Sequence, residues 1–475
     1  MAQQKLSLET IVKFASKNGL VYPSSEIYGG FSASYDFGPL GSILKRNLID
    51  SWREWNIISR TDTEEIEGSI FLHPKVWEAS GHIGGFSDLL VEDLVTHKRY
   101  RADHLIEDSK VKFLDKDEII ENAGALTAEE IDKIIEFYVI KSPDGNSLSN
   151  AKKFNLLVKT HLGPVENDST VAYLKGESCQ NIYLDWKLVQ ETTRRKLPFG
   201  IAQLGKAFRN EITVKQFLFR TREFEQIDMQ YFIKPDEFKL ENEKSVDEWY
   251  QYWKNNRWEF YTKFLGISDT NLKYRQHNQD ELVFYALDAW DIEYKFGDLG
   301  FKEMEGVHNR TSYDTDQHSK FSKKDLSYFD PENNKRYNPY IIEMSAGVNR
   351  MFLMLLFEFY HEEEISEKES RIVFRLPYKL APYKLAILPL MKKDGLREKA
   401  EEIYIDLRQK GLMVTYDEAG SIGKRYRRQD EIGTPWCITI DYQSKEDNTI
   451  TIRHRDTMEQ KRVQISDLEN YMSKF

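Results

Sequence analysis

Residues 204–232 carry two runs in which apolar and polar side chains alternate, joined by a short polar connection. Successive side chains of a strand point to opposite faces, so the pattern predicts two antiparallel strands. It sets Ala207, Arg209 and Glu211 on one face of the first, and Arg220, Arg222, Phe224, Gln226 and Asp228 on one face of the second. Faces this rich in charge and amide differ from an ordinary core. By periodicity alone they fit a solvated face with cross-strand ion pairs.

Elsewhere the period is helical or mixed. Residues 1–19 predict a short amphipathic helix. In residues 35–55 a Gly-Pro turn precedes Leu40, Leu44, Leu48, Trp52 and Trp55 at near-helical spacing. Residues 80–88 predict a glycine-rich loop, and a lone His82 there is a structural residue, with no metal assigned. Residues 110–150 are charged and mostly helical in pattern, with a capping box at Thr127–Glu130, so about 105–150 reads as a helical insertion. Trp249, Tyr252, Trp253, Trp258 and Tyr261 predict a helical hairpin over residues 235–266. Residues 340–360 predict a strand, a turn at Gly347 and an apolar helix. Residues 361–369 form a charged break and 377–382 complete a linker. Beyond it, strands at 384–390, 412–417 and 436–442, helices at 396–410 and 423–432, and a strand pair at 449–454 and 459–464 predict a mixed sheet flanked by helices. The fold class is α+β, with domains at 1–375 and 380–475.

Composition narrows the class. A chain of 475 residues exceeds one ordinary core. A hydrophobic content of 40% and an aromatic content of 13% suit a globular protein, and no window is long and apolar enough to span a membrane. Two distant cysteines, Cys179 and Cys437, exclude a disulfide framework or a four-cysteine zinc site, so no structural zinc is expected and a reducing cytoplasm is the expected setting. A net charge of −11 argues against wholesale coating by nucleic acid but leaves room for a local basic patch such as Lys424, Arg425, Arg427 and Arg428.

The residue order carries more. Phe208-Arg209-Asn210-Glu211, then Phe219-Arg220-Thr221-Arg222-Glu223-Phe224, resembles motif 2 of the class II aminoacyl-tRNA synthetases. The continuation Phe224-Glu225-Gln226-Ile227-Asp228 is similar to the glycyl-tRNA synthetases in particular. Residues 35–55 resemble motif 1, which implies a homodimer interface. Residues 340–360 resemble motif 3, which implies that Arg350 is directed at the γ-phosphate of ATP. Residues 421–441 and 451–457 resemble the anticodon-binding domain shared by several class II enzymes. The resemblance implies a class II antiparallel sheet flanked by helices, an α/β anticodon-binding domain, and a glycine–tRNA ligase acting on ATP, glycine and tRNA(Gly).

Site residues follow from the same resemblance. Arg209 and Arg350 are the expected catalytic pair, since arginine forks neutralise charge building at phosphorus. The ATP region takes in Asn210, Glu211, Phe219, Arg220, Thr221, Arg222, Glu223 and Phe224, with Glu303 and Met304, and with Gly347, Val348 and Asn349. Glu303 is also the expected holder of Mg²⁺ through ATP. The glycine region takes in Arg101, Glu177, Arg310 and the run Phe224, Glu225, Gln226, Ile227 and Asp228. It also takes in Glu343, Met344, Ser345, Ala346 and Gly347. Glycine offers only an ammonium and a carboxylate, so Glu177, Asp228 and Glu343 are expected around the ammonium. Departures from the family pattern stand at Lys175, Gly176, Ser178, Cys179 and Asn181. Asp228 replaces a glutamate and Lys215 an arginine. The reading requires that the guanidinium groups of Arg209 and Arg350 reach one cleft.

Overall fold

The structure is a computed structural model that describes residues 6–85, 87–120, 123–124, 126–211, 216–278, 287–366, 369–468 and 471. Lys215 therefore lies outside the described residues. Helix α1 (Leu8–Lys17) starts at Ser7, whose hydroxyl accepts from the Thr10 amide. Helix α2 (Pro39–Arg53) starts with proline, whose missing N–H has no intrahelical partner to lose there. Strand β1 (Thr63–Ile66) follows.

Residues 80–88 are not a simple loop. His82–Gly85 makes one helical turn and leads into the strand Ser87–Glu92. That strand pairs with Arg99–Arg101 and Lys152–Asn155. The 110–150 stretch is less helical than its charge pattern suggests. Among the described residues only α3 (Ala128–Tyr138) forms there, behind the expected capping box, with Ile131 and Ile134 against a small core of Val91, Ala102 and Ile106. The remaining charges sit on exposed turns, where no apolar stripe exists to bury. Thr127→Ala is expected to weaken α3 by about 1 kcal/mol, read as faster amide exchange confined to that helix.

Helix α4 (Cys179–Thr193) precedes β2 (Phe199–Phe208) and β3 (Glu223–Ile233). The expected hairpin at 235–266 is instead one continuous helix. Its first part, α5 (Val246–Glu259), begins at the Ser245–Glu248 capping box and runs into a π-turn at Phe260–Phe264. Residues 246–265 contain no glycine or proline to break it. Then come β4 (Leu272–Gln276), β5 (Asp288–Lys295), β6 (Phe301–Thr311), α6 (Tyr313–Ser322), β7 (Tyr340–Gly347) and α7 (Val348–Phe359). The charged break at 361–369 is a hairpin, β8 (Tyr360–Ser366) with β9 (Glu369–Phe374). Its buried Arg371 draws on Glu363 and on Asp430 further along the chain.

The C-terminal part follows the expected alternation: β10 (Leu385–Pro389), α8 (Leu396–Gln409), β11 (Val414–Tyr416), α9 (Ile422–Ile432), β12 (Trp436–Ile440), β13 (Thr449–His454) and β14 (Gln460–Gln464). Its sheet order is β11-β10-β12-β13-β14, parallel through β12 and antiparallel beyond, so it is mixed. A helical turn at Tyr442–Asp447, capped by Asp441, was not legible beforehand.

The larger sheet has seven strands in the order β4-β5-β6-β7-β3-β2-β1. Every pairing is antiparallel except that of β2 with β1. One face is sealed by α1, α2, α5 and α7, which meet Ile227, Met229, Met344 and Ala346 in the main core. On the other face α4 covers one end, packing Ile182, Tyr183 and Trp186 onto Phe199, Ile201 and Phe232. The uncovered end of that face carries the polar residues considered next.

Candidate active site

Strand period decides which residues can meet. Along β3, Phe224, Gln226, Asp228 and Gln230 share the face away from the main core. The β7 register sets Asp228 opposite Ser345 and Gln230 opposite Glu343. Beside them opens a polar cleft. Arg209, Glu211, Phe219, Arg220, Thr221 and Phe224 line it from the segment joining and flanking β2 and β3. Glu303 and Met304 line it from β6, and Ser345, Gly347, Asn349 and Arg350 from the β7–α7 junction. Leu218 also lines it, a residue that strand alternation and motif order did not single out.

Arg209 and Arg350 reach this one cleft. The Arg209 guanidinium lies 5.4 Å from the Phe224 ring centre and donates from Nε to the Gly176 carbonyl at 2.9 Å. The Arg350 guanidinium lies 4.4 Å from the Phe219 ring centre and donates from Nη1 to the Glu303 carbonyl at 3.0 Å. Aromatic faces hold both guanidinium groups at the cleft wall. Glu211 is buried, and its Oε2 has no hydrogen-bond partner.

Next to the cleft, Glu177, Asp228 and Glu343 converge, all buried. Glu343 Oε2 accepts from Arg310 Nη1 and from His308 Nδ1, each at 3.0 Å, while Oε1 accepts from Gln230 at 3.1 Å. Burial opposes its ionisation, but Arg310 and His308 outweigh it and hold the carboxyl at about 2. Glu177 meets His82 at 3.3 Å and Gln180 at 2.8 Å. Burial is again outweighed, by His82 and Arg310, and its carboxyl sits well below the usual range. Asp228 differs. Burial, with Glu343 adding to it, pushes its carboxyl well up. Its Oδ2 has no partner at all. Glu177, Asp228 and Glu343 thus form a buried acidic cluster in which one carboxylate oxygen has no hydrogen-bond partner.

Other expected residues lie elsewhere. Glu225, Ile227, Met344 and Ala346 fall on the opposite face by strand alternation: Glu225 pairs with Lys45 at 2.7 Å, and the other three join the main core. Val348 is also in that core. Arg222 donates to the Glu211 and Ser32 carbonyls, and Glu223 pairs with exposed Lys206. Both are therefore supports at the rim. So is Asn210, whose amide donates to the Leu156 carbonyl. Arg220 and Arg222 precede β3 and do not continue its face. Arg101 is held by Asp88 at 3.0 Å and by Asp103 at 2.5 Å, and it lines a separate cavity with them.

Comparison with known proteins decides the family. Residues 164–359 match the tRNA synthetase class II core domain (G, H, P, S and T), and residues 384–475 match the anticodon binding domain. The glycine–tRNA ligase of Treponema denticola is 46% identical over 474 residues, covering 98% of this chain and 97% of that protein. This chain belongs to the glycine–tRNA ligase family. Membership makes it an aminoacyl-tRNA ligase with a class II core. The Borreliella burgdorferi glycine–tRNA ligase is 44% identical over 98% of this chain and 96% of its own length. That of Corynebacterium glutamicum is 43% identical over 100% and 99%. A solved prolyl-tRNA synthetase from Cryptosporidium parvum, complexed with L-proline and AMP, shares the fold at TM-score 0.62 and 13% identity, covering 99% of this chain and 75% of that one.

Within this glycine–tRNA ligase family member, two residues that the sequence did not flag join the acidic cluster, Gln230 and His308, and Lys175, flagged only as a departure from the family pattern, joins it as well. Lys175 is fully buried, and its ammonium would lie 2.7 Å from any Cβ at Gly205. Burial lowers its pKa despite the pull of Asp228. Among the described residues no helix is long and apolar enough to cross a membrane. The basic run of α9 divides. Lys424, Arg427 and Arg428 line an open surface cleft. Arg425, only 3% exposed, turns inward to the carbonyls of Pro389, Leu390 and Gly420. It is a structural residue, its guanidinium donating to three strand and loop carbonyls.

Proposed function

We propose that this chain activates glycine with ATP and transfers it to the 3′ end of tRNA(Gly). The observation that carries this is the meeting of two separately encoded arginines in one cleft beside a buried cluster of three acids. ATP lies bent in the cleft, its adenine by Phe219 and Phe224 with Glu211 accepting at its edge. Arg209 takes the α-phosphate and Arg350 the far one. The glycine carboxylate attacks the α-phosphorus in line, pyrophosphate leaves, and the terminal ribose hydroxyl of tRNA later attacks the adenylate. The nucleophile is already ionised, so no general base is required. The residues act by positioning and by charge stabilisation. Glu303, a half-exposed carboxylate 3.3 Å from Arg350 at the cleft edge, suits Mg²⁺ held jointly with phosphate oxygens and water. The ion would supply charge neutralisation on the phosphates.

Glu177, Asp228 and Glu343 surround the glycine ammonium, with Ser345 held by Gln226 at 2.7 Å beside them. Arg310, clamped by Asp314 at 2.7 and 2.9 Å, orders Glu343. Larger amino acids clash in this packed site, so no editing site is needed. Residues 1–375 form the catalytic unit and 380–475 the anticodon-binding unit. The working state is a cytoplasmic homodimer joined through the α2 region. Pyrophosphate exchange run with each amino acid tests the reading: exchange with glycine alone supports it. No exchange points to an accessory nucleic-acid-binding protein, and exchange with another amino acid to a different specificity.

On the anticodon side, Lys424→Ala is expected to weaken tRNA binding and reduce its salt slope by about 1 while leaving the melting midpoint unchanged. Arg425→Ala is expected to cost about 1–3 kcal/mol of stability. Filter binding across a salt series and thermal unfolding separate the two.

A further inference from the structure

Beneath the acidic cluster lies a second cluster that the proposed chemistry does not use. His277 follows β4, Asp291 stands on β5 and His308 on β6, three neighbouring strands. The register pairs Asp291 with Gly306 and Ala289 with His308, and the His277 amide donates to the Ala289 carbonyl at 3.0 Å. One side-chain atom of each, the imidazole nitrogens and a carboxylate oxygen, lie within 4.8 Å of one another. His277 Nε2 is 2.7 Å from Asp291 Oδ2, His308 Nε2 is 3.9 Å from Asp291 Oδ1, and the two imidazole centres are 5.8 Å apart.

The decisive atom is His308 Nε2. The ring's other nitrogen, Nδ1, faces Glu343 Oε2 at 3.0 Å. A carboxylate only accepts, so Nδ1 carries a hydrogen, and Nε2 is the ring nitrogen a metal would take, in place of any proton there. That atom is buried with no hydrogen-bond partner. Gly306 makes the space for it: a Cβ there would stand 2.8 Å from Nε2. A histidine whose far nitrogen donates to a carboxylate while its near nitrogen is free and faces a second histidine and an aspartate is the arrangement of a metal ligand with its outer support. His277 and His308 are partly exposed, which gives an ion a path in. Among the described residues, the other charged groups facing the cluster include Arg275, whose Nη1 is 3.6 Å from Asp291, and Glu293, toward which the same guanidinium reaches at 3.9 Å.

We propose that His277, Asp291 and His308 bind one Zn²⁺, with water in the fourth position. Two imidazole nitrogens and a carboxylate suit a borderline divalent ion at about 2.0–2.2 Å per ligand. This departs from the zinc-free expectation, which rested on cysteines alone. The ion fixes the His308 ring and through it Glu343. That consequence, not the binding itself, rests on the reading that Glu343 faces the glycine ammonium.

The test uses the full chain, stripped with chelator and free of ATP and glycine. Titration with Zn²⁺, followed by calorimetry and elemental analysis, is expected to give one equivalent. Co²⁺ is expected to give visible d–d absorption without a sulfur charge-transfer band. His277→Gln and Asp291→Asn each lower the affinity about 100-fold or more, and Glu343→Gln lowers it about 10–100-fold as the loss of an outer support. His161→Gln leaves it unchanged. Circular dichroism confirms that each variant is folded, and His277→Gln, at the exposed edge, serves if Asp291→Asn is not. No stoichiometric zinc, binding that survives both ligand variants, or a sulfur band would overturn the site and leave the cluster an ion-pair chain. Because no substrate is present, this result stands or falls separately from glycine-dependent exchange.

Discussion

Arg209→Ala is expected to slow glycine-dependent pyrophosphate exchange about 10³-fold, with little change in the KM for glycine. The cause is geometric. Arg209 is held on the Phe224 ring and by the Gly176 carbonyl, so its guanidinium is positioned before ATP arrives. Charge on the α-phosphate oxygens grows as the glycine carboxylate attacks, and a fork already in place gains strength as that charge develops. Arginines in this role contribute about 10³–10⁵ in rate. Arg209→Lys is expected to recover only part of the loss, since a single ammonium cannot reproduce a two-pronged contact. Steady-state exchange kinetics with ATP and glycine varied separately provide the check. A rise in the KM for ATP with kcat intact would make Arg209 a ground-state binder and move the catalytic role to Arg350.

Much of this arrangement was legible along the chain, and the exceptions have physical reasons. Strand alternation alone placed Gln226 and Asp228 on one face, and the β7 register adds Ser345 opposite Asp228. The same rule sends Glu225 and Ile227 to the other face, where they are found in an ion pair and in the core. Taking the motif as an unbroken run of contacts overrode that rule. Arg222 shows a second limit. Its residue type fits phosphate, but its direction is set by carbonyls of Glu211 and Ser32, the latter 190 residues away. Arg425 shows a third. A basic run on a helix suggests one surface, yet every helix facing a sheet must turn some position inward. Here Arg425 and Gln429, four apart, are buried together with Asp430. His308 had no local signal, because its meaning depends on Asp291 and Glu343 from neighbouring strands.

Asp228→Asn is expected to move stability and function in opposite directions. In the free protein Asp228 is buried between Glu177 and Glu343, and its carboxyl is pushed well above the ordinary range. A carboxyl whose folded pKa is raised leaves stability intact below its unfolded pKa, near 4, and withdraws it as pH rises through the folded value. Asparagine removes that loss, so the variant is expected to melt higher than wild type near pH 7–8, with the gap closing toward pH 4. Glycine binding reverses the sign. Its ammonium favours the ionised carboxylate at the orphaned Oδ2, so wild type is expected to release a proton as glycine binds near neutral pH. Removing one partner of a buried charged contact costs about 2–5 kcal/mol, which raises the glycine KM about 30-fold or more. Calorimetry of glycine binding in buffers of different ionisation enthalpy reads the proton release, and the variant is expected to show none. A wild type that releases no proton, together with an unchanged KM in the variant, would place the ammonium on Glu177 and Glu343 alone. Asp228 would then be a residue that costs stability without serving recognition.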